Sequence, residues 1–183
     1  LLAELSMHII DIVQNSISAG ADLIKVKIHE LKDRDLLIIE VEDNGKGMDK
    51  DQINRVQDPF YTTKSFKRVG LGIPLFKQTA EHCDGSFQIL SEPGKGTLIR
   101  ATFKKSHVDL PPMGNLRDTI LTLVVGEPNV DFVFEVETDG VVFVLDTREV
   151  KKELQDVPIN HPEVVKFLRE YIGENLKTME VAS

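Results

Sequence analysis

Two spacing rules alternate along the first half of the chain, and that alternation restricts the fold more than any other feature. Leu2, Leu5, Ile9, Ile12 and Val13 recur at three- and four-residue steps, the spacing of a helix with one buried stripe, and Gly20 stops it. Leu23 to His29 and Leu36 to Glu42 are strand-like, and the polar Glu30–Asp35 segment between them reads as a hairpin connection. A short helical stretch near Asp51–Val56 follows, then Asp58 to Val69, which has no clean period and reads as a loop. Gly72 to Cys83 returns to helical spacing and ends at Asp84-Gly85. Ser86–Leu90 and Thr97–Lys104 read as strands joined by the turn Ser91-Glu92-Pro93-Gly94-Lys95-Gly96.

A break at His107–Gly114, marked by Pro111-Pro112 and Gly114, is expected to be a linker between residues 1–106 and an extension of residues 115–183. In that extension Asn115–Val125 reads as a helix. Val130–Glu137 and Val141–Asp146 flank the hairpin signal Asp139-Gly140, and residues 162–178 form an amphipathic helix with Pro162 in its first turn. Hydrophobic residues make up 41% of the 183, enough for a sizeable core, and no apolar run reaches the ~20 residues of a membrane span. Cys83 is the single cysteine, which excludes an internal disulfide and fits a reducing, cytoplasmic setting. The formal charge of -8 argues against a general nucleic-acid or anionic-membrane binder. It is unevenly placed: residues 1–106 hold 15 basic and 15 acidic side chains, while residues 107–183 hold 7 and 15. The acidic extension is therefore expected to offer a docking surface to a basic protein partner.

Four short segments carry chemistry. His8, Asp11, Asn15 and Ser18 share one helix face, opposite the apolar stripe. Asp11 and Asn15 put a base and an uncharged oxygen ligand suited to Mg²⁺ one turn apart, although many such faces are merely solvated. Asp43 ends a strand, where a carboxylate can accept a hydrogen bond from an exocyclic amine such as adenine N6. Gly45 and Gly47 follow it and would let backbone approach a flat ring, the alternative being a plain Asp-Asn-Gly turn. Gly70-Leu71-Gly72-Ile73 opens a helix whose free amides suit a phosphate, with Lys64, Lys67 and Arg68 just ahead as charged closures. Gly94-Lys95-Gly96-Thr97 fails as a Walker A loop. Ile89 stands where its first glycine is needed, Gly96 follows the lysine, and a strand follows where a helix is required.

Taken in order, these segments resemble the GHKL superfamily of DNA gyrase, ninety-kilodalton chaperones, histidine kinases and MutL-type repair proteins. Asp11–Asn15 with Ser16 and Ala19-Gly20-Ala21 is similar to its N box, and Asp43-x-Gly45-x-Gly47 to its G1 box. Asp58-Pro59-Phe60-Tyr61-Thr62-Thr63-Lys64 resembles the lid-side phenylalanine motif of histidine kinases. Gly70–Ile73 resembles their G2 box, and Ser91–Thr97 their last turn. The resemblance covers roughly residues 5–106 and implies a Bergerat ATP-binding fold, an α/β two-layer sandwich with helices on one face of a mixed sheet. It also implies that Asp43 reads adenine N6 with Thr97 assisting, that Met48 and Ile73 line the apolar part of the pocket, and that Asn15 coordinates Mg²⁺. Gly70 and Gly72 would cradle the phosphates of ATP, with Leu71 between them, and Asp11 would be the general base.

Three departures stand out. Asp11 occupies a position where hydrolysing and serine-kinase members commonly carry Glu, Ser18 one where histidine kinases often carry a basic residue, and Arg68 one where many kinases have another glycine. Few residues precede the N box, so the expectation is a domain without its own phosphoacceptor-histidine hairpin, with His8 a second-shell or solvated residue. The functions that remain are an ATP-dependent kinase acting on a separate protein and a slow ATPase or ATP-responsive switch. A topoisomerase or repair fragment fits less well.

Overall fold

The structure is a computed structural model that describes residues 4–58 and 71–179. The stretch 59–70, which contains Phe60, Lys64, Lys67, Arg68 and Gly70, lies outside the described residues. The first helix, α1, spans Leu5–Ser18 and buries Leu5, Ile9, Ile12 and Val13, as the three- and four-residue spacing predicts. Strands β1 (Leu23–Leu31) and β2 (Leu36–Asp43) follow, then α2 (Lys50–Val56), α3 (Gly72–His82), β3 (Ser86–Glu92) and β4 (Gly96–Lys104). Strand β1 continues through Leu31 into a single 3-10 turn at Lys32–Arg34, so the hairpin connection is shorter than the polar segment suggests. Capping sets the start of α2: the Asp49 side chain accepts from the Gln52 N–H, while the Gln52 side chain accepts from the Asp49 N–H.

One six-stranded mixed sheet runs in the order β3-β4-β2-β1-β5-β6, where β5 is Asp131–Thr138 and β6 is Val141–Asp146. Strand β1 pairs antiparallel with β2 and parallel with β5, so residues beyond 107 extend the same sheet. Register aligns one apolar row across the strands: Val26 lies opposite Val41 and Phe134, Val41 opposite Ile99, and Phe134 opposite Leu145. That row and the apolar stripes of α1, α3 and α4 (Leu116–Gly126) form a single core. The opposite face is a ladder of charges, including Lys25–Glu42 at 3.5 Å, Arg100–Glu40 at 3.2 Å and His29–Glu135 at 2.8 Å. Strict alternation in β1 accounts for the division, because successive side chains point to opposite faces.

The break around 107–114 holds neither helix nor strand, yet it is fastened to α1. The Leu5 N–H donates to the Pro112 carbonyl at 2.9 Å, the Ser6 N–H donates to the Met113 carbonyl at 2.9 Å, and Met113 is buried. Two helices complete the chain, α5 (Thr147–Leu154) and α6 (Pro162–Thr178). Pattern reading finds α6 and overlooks α5, whose Thr-Arg-Glu-Val-Lys-Lys-Glu-Leu is polar at six of eight positions. Its start is nonetheless encoded: Asp146, the last residue of β6, is the N-cap, accepting from the Arg148 N–H at 2.9 Å. The folded whole is an α/β sandwich of the GHKL ATPase type.

Candidate nucleotide site

Three neighbouring strands bring their inward apolar rows to the same end of the sheet, and there each row turns polar. In β2 the sequence Leu37, Ile39, Val41 ends at Asp43; in β4, Phe103, Ala101, Ile99 ends at Thr97; in β3, Phe87, Ile89 ends at Ser91. Asp43 lies directly opposite Thr97, and Thr97 opposite Ser91. Asp43 is buried with its carboxylate fixed on both sides. The Ser16 hydroxyl donates to Oδ2 at 2.6 Å, and the Gly45 N–H donates to Oδ1 at 2.8 Å. Each carboxylate oxygen accepts more than one hydrogen bond, so acceptor capacity remains. Ser91 Oγ accepts from the Met48 N–H and donates to the Gly96 carbonyl, both at 2.8 Å. Its single proton is thereby used, so the Thr97 hydroxyl at 2.8 Å donates to Ser91 and keeps its own lone pairs available.

Ser16 and Ser91 are site residues to which sequence reasoning assigned no role. A signal existed for the first. Ser16 falls four residues after Ile12 on the buried stripe of α1, and a hydroxyl buried there demands a partner. Ser91 offers no comparable signal, because only strand register brings it beside Thr97.

The loop after Asp43 is held by the protein itself. Asn44 Oδ1 accepts from the N–H groups of Asp22 and Leu23 at 3.0 and 3.1 Å, the Lys46 N–H donates to the Ala19 carbonyl at 3.0 Å, and the Gly94 N–H donates to the Lys46 carbonyl at 2.7 Å. A Cβ on Gly45 would lie 3.0 Å from the Ala19 carbonyl oxygen, and one on Gly47 would overlap the Glu92 carbonyl oxygen. Both glycines therefore thread this loop between the end of α1 and the β3–β4 turn, where side chains cannot fit. Met48, half-buried, follows it.

The polar face of α1 is graded rather than uniformly solvated: His8 is buried, Asp11 half-buried and Asn15 exposed. The start of α3 packs against it, with Gly72 so close that a Cβ there would sit 3.0 Å from Asp11 Cβ. Leu71 and Gly72 are half-buried and Ile73 is buried in the core. Burial raises the Asp11 carboxyl above its ordinary value. Neither the Asp11 carboxylate nor the Asn15 amide makes a side-chain hydrogen bond or ion pair among the described residues. Two uncommitted hard oxygen donors one turn apart are a donor set that suits Mg²⁺.

His8 is no solvated residue. Its ring stacks on Phe76 at 5.1 Å, and Nε2 lies 3.2 Å from the Thr79 hydroxyl, which itself donates to the Leu75 carbonyl at 2.9 Å. His8 Nε2 is therefore the donor to Thr79, and the buried Nδ1 is left without a partner. Burial lowers its pKa from 6.5 to about 4. The unfolded chain takes up a proton near pH 6.5 that the folded protein refuses until about pH 4, so stability falls as pH drops through that window. The loss expected is about 3 kcal/mol. Urea unfolding at pH 7 and pH 4.5 reads it, and His8→Gln should flatten the pH slope; an unchanged slope would rule out this group as its source.

With this geometry in place, comparison with known proteins places the chain. Residues 3–107 match the family described as Histidine kinase-, DNA gyrase B-, and HSP90-like ATPase. The chain belongs to that family. It is 34% identical to sporulation kinase C of Bacillus subtilis over 97 residues, 53% of this chain and 22% of that protein. It is likewise 34% identical to sporulation kinase E of the same organism over 117 residues, 63% of this chain and 15% of that one. The chain thus spans about a fifth or less of the length of these curated relatives. A solved N-terminal domain of a DNA repair protein shares the fold, with a TM-score of 0.51 at 15% identity over 79% of this chain and 53% of that chain. That overlap is larger than residues 3–107 alone supply, in keeping with a sheet that continues into β5 and β6. Residues 3–107 are thus a histidine-kinase-like ATPase domain, and ATP is the ligand that domains of this family bind. No helix among the described residues is long and apolar enough to cross a membrane.

Proposed function

We propose that this ATPase-family domain binds Mg-ATP across the polar end of the sheet and transfers the γ-phosphoryl group to a separate partner protein. The observation that carries this reading is the buried Asp43 carboxylate, oriented in advance by Ser16 and Gly45 beside the Thr97 hydroxyl. A carboxylate held this way accepts from adenine N6, and Thr97 assists from the adjoining strand. Met48 and Ile73 line the apolar side. The triphosphate would run toward the start of α3, where Gly72 removes the side chain that would otherwise crowd Asp11. The amides of Gly72 and Ile73 there suit a phosphate. The family resemblance also assigns Lys64 and Gly70 to this site; both lie outside the described residues. Asn15 would hold Mg²⁺, which when bound supplies charge neutralisation along the phosphates.

Asp11 would act as the base that accepts the proton of the attacking hydroxyl. Burial favours its protonated form, so activity should rise with pH through a value above the ordinary carboxylate range. Asp11→Asn should leave nucleotide affinity near that of the parent and lower turnover by about a hundredfold or more. Equal turnover in the two proteins would remove Asp11 from that role.

A second reading, a slow ATPase or an ATP-responsive switch, is supported by Asp11 itself. It is one methylene shorter than the Glu that hydrolysing relatives carry, a shortfall of roughly 1.5 Å, and catalytic geometry is sensitive at that scale. ATP labelled at the γ-phosphate, incubated with the protein, Mg²⁺ and a lysate of the source cells, separates the two. Label carried onto a second protein, and lost with Asp11→Asn, supports the kinase. Release only as inorganic phosphate, or retention as intact ATP, supports the switch. Absence of Mg-ATP binding would overturn both.

A further inference from the structure

At the far edge of the sheet, two strands beyond β1, an open groove of about 560 Å³ runs between α5, α6 and the edge strand β6. Its walls are apolar. Val150 and Leu154 come from α5, Phe167 and Tyr171 from α6. Helix α6 spends Val164, Leu168 and Ile172 on the core and still presents this second apolar stripe one position over. Phe167 is 62% exposed and Tyr171 40%, their rings stacked at 5.9 Å and 13°. Aromatic side chains held in place by stacking and left open to water are the usual anchors of a protein contact.

The charged side chains that line the groove are of one sign. Of its twelve lining residues four are carboxylates and none is Lys or Arg. Asp146 is answered by Arg148 at 2.6 Å, but Glu149, Glu153 and Glu163 make no ion pair among the described residues. An apolar floor with an acidic rim selects for an apolar stripe flanked by Lys or Arg. It also disfavours a second copy of this chain, since a two-fold contact through this patch would set the same glutamates against one another. Two flanking helices and an i, i+4 aromatic pair match the geometry by which a groove receives an amphipathic helix.

We propose that the α5–α6 groove is the docking site for a basic amphipathic helix of a partner protein. The occupant lays its apolar stripe on Phe167 and Tyr171 and sets its cations against Glu149, Glu153 and Glu163. The groove lies at the β6 edge of the sheet, three strands from β2, which carries Asp43. The proposal does not rest on ATP chemistry, and its test uses no nucleotide.

A phage-displayed random library of peptides about four helical turns long is panned on the whole protein. The enriched sequences should carry net positive charge and apolar residues at i, i+3/i+4 spacing. Fluorescence anisotropy with an enriched peptide should show affinity falling about tenfold with Phe167→Ser. It should fall similarly with the triple change Glu149→Gln, Glu153→Gln and Glu163→Gln, and again as salt rises from about 50 to about 300 mM. The triple change touches only unpaired surface carboxylates, so its circular dichroism and melting should match the parent and keep the result interpretable if Phe167→Ser perturbs the helix. The proposal is overturned if no peptide is enriched, if enriched peptides lack positive charge, or if the triple variant binds them as the parent does. Sedimentation that shows a dimer dispersed by Phe167→Ser would also overturn it, giving the face to a second copy.

Discussion

Asp43→Asn should weaken ATP binding by roughly 100-fold, the scale of losing a hydrogen bond to a charged group in a buried site. The substitution keeps the size of the side chain and much of its framework. The Asn carbonyl can still accept from the Gly45 N–H, and the amide nitrogen can donate to Ser16 Oγ, which replaces the present bond at 2.6 Å. What disappears is acceptor capacity on the second oxygen, and in its place an N–H group confronts the adenine amine. Donor against donor is repulsive as well as unpaired. Calorimetric titration with ATP and Mg²⁺ measures the loss, and circular dichroism shows whether the sheet is intact. Affinity equal to the parent's would sink the assignment of Asp43 to adenine and, with it, the proposed orientation of the nucleotide.

Gly96→Ala should be among the most destabilising single changes in the β3–β4 turn, costing about 4 kcal/mol through combined backbone strain and overpacking. Gly96 has φ +98, which side chains rarely adopt, and a Cβ there would overlap the Asp43 carbonyl and press on Asn44 Cα. Both obstacles are backbone, held by the β2–β4 pairing, and neither can swing aside. A drop in Tm of roughly 10 °C follows for a chain of this size. Gly94→Ala provides the control. Gly94 has φ +78 but nothing within 4 Å of the added Cβ, so only the conformational cost of about 1 kcal/mol applies. If the two variants melt together, close packing under Asp43 is not what makes Gly96 necessary. The same substitution should also disturb nucleotide binding, because the carbonyl it strikes belongs to Asp43, the residue proposed to read the base.

Much of the architecture was legible because local pattern and final packing agree. The apolar stripe of α1, the strand β2 and the Asp139-Gly140 hairpin each appear at the expected place. In the folded sheet, alternation in β2 fixes which way Asp43 points. Leu37, Ile39 and Val41 face the helices, so the residue two further on does so too. Where local pattern was weak, reading failed for physical reasons. The surface helix α5 buries only Thr147 outright, and its apolar stripe is a single pair, Val150 and Leu154, too short to stand out in a polar sequence. Sequence left His8 either behind the site or solvated, because it shares a helix face with Asp11 and Asn15; Phe76 and Thr79, from a helix some seventy residues later, cover it and exclude the solvated alternative.

By itself the sequence determined most of the elements, the family motifs in their order, and the concentration of negative charge after residue 106. Those properties depend on near neighbours and on composition, which a linear reading retains. Only the tertiary structure decided that Ser16, Thr97 and Ser91 converge on one end of the sheet, because helix docking joins Asp43 to Ser16, 27 positions away, and strand register joins it to Thr97, 54 positions away. It alone showed that the glycines after Asp43 make room for protein backbone, and that β5 lies parallel to β1 and so draws the acidic extension into the same core. Parallel pairing leaves no turn signal between the partners, and close approach between distant segments leaves none at all.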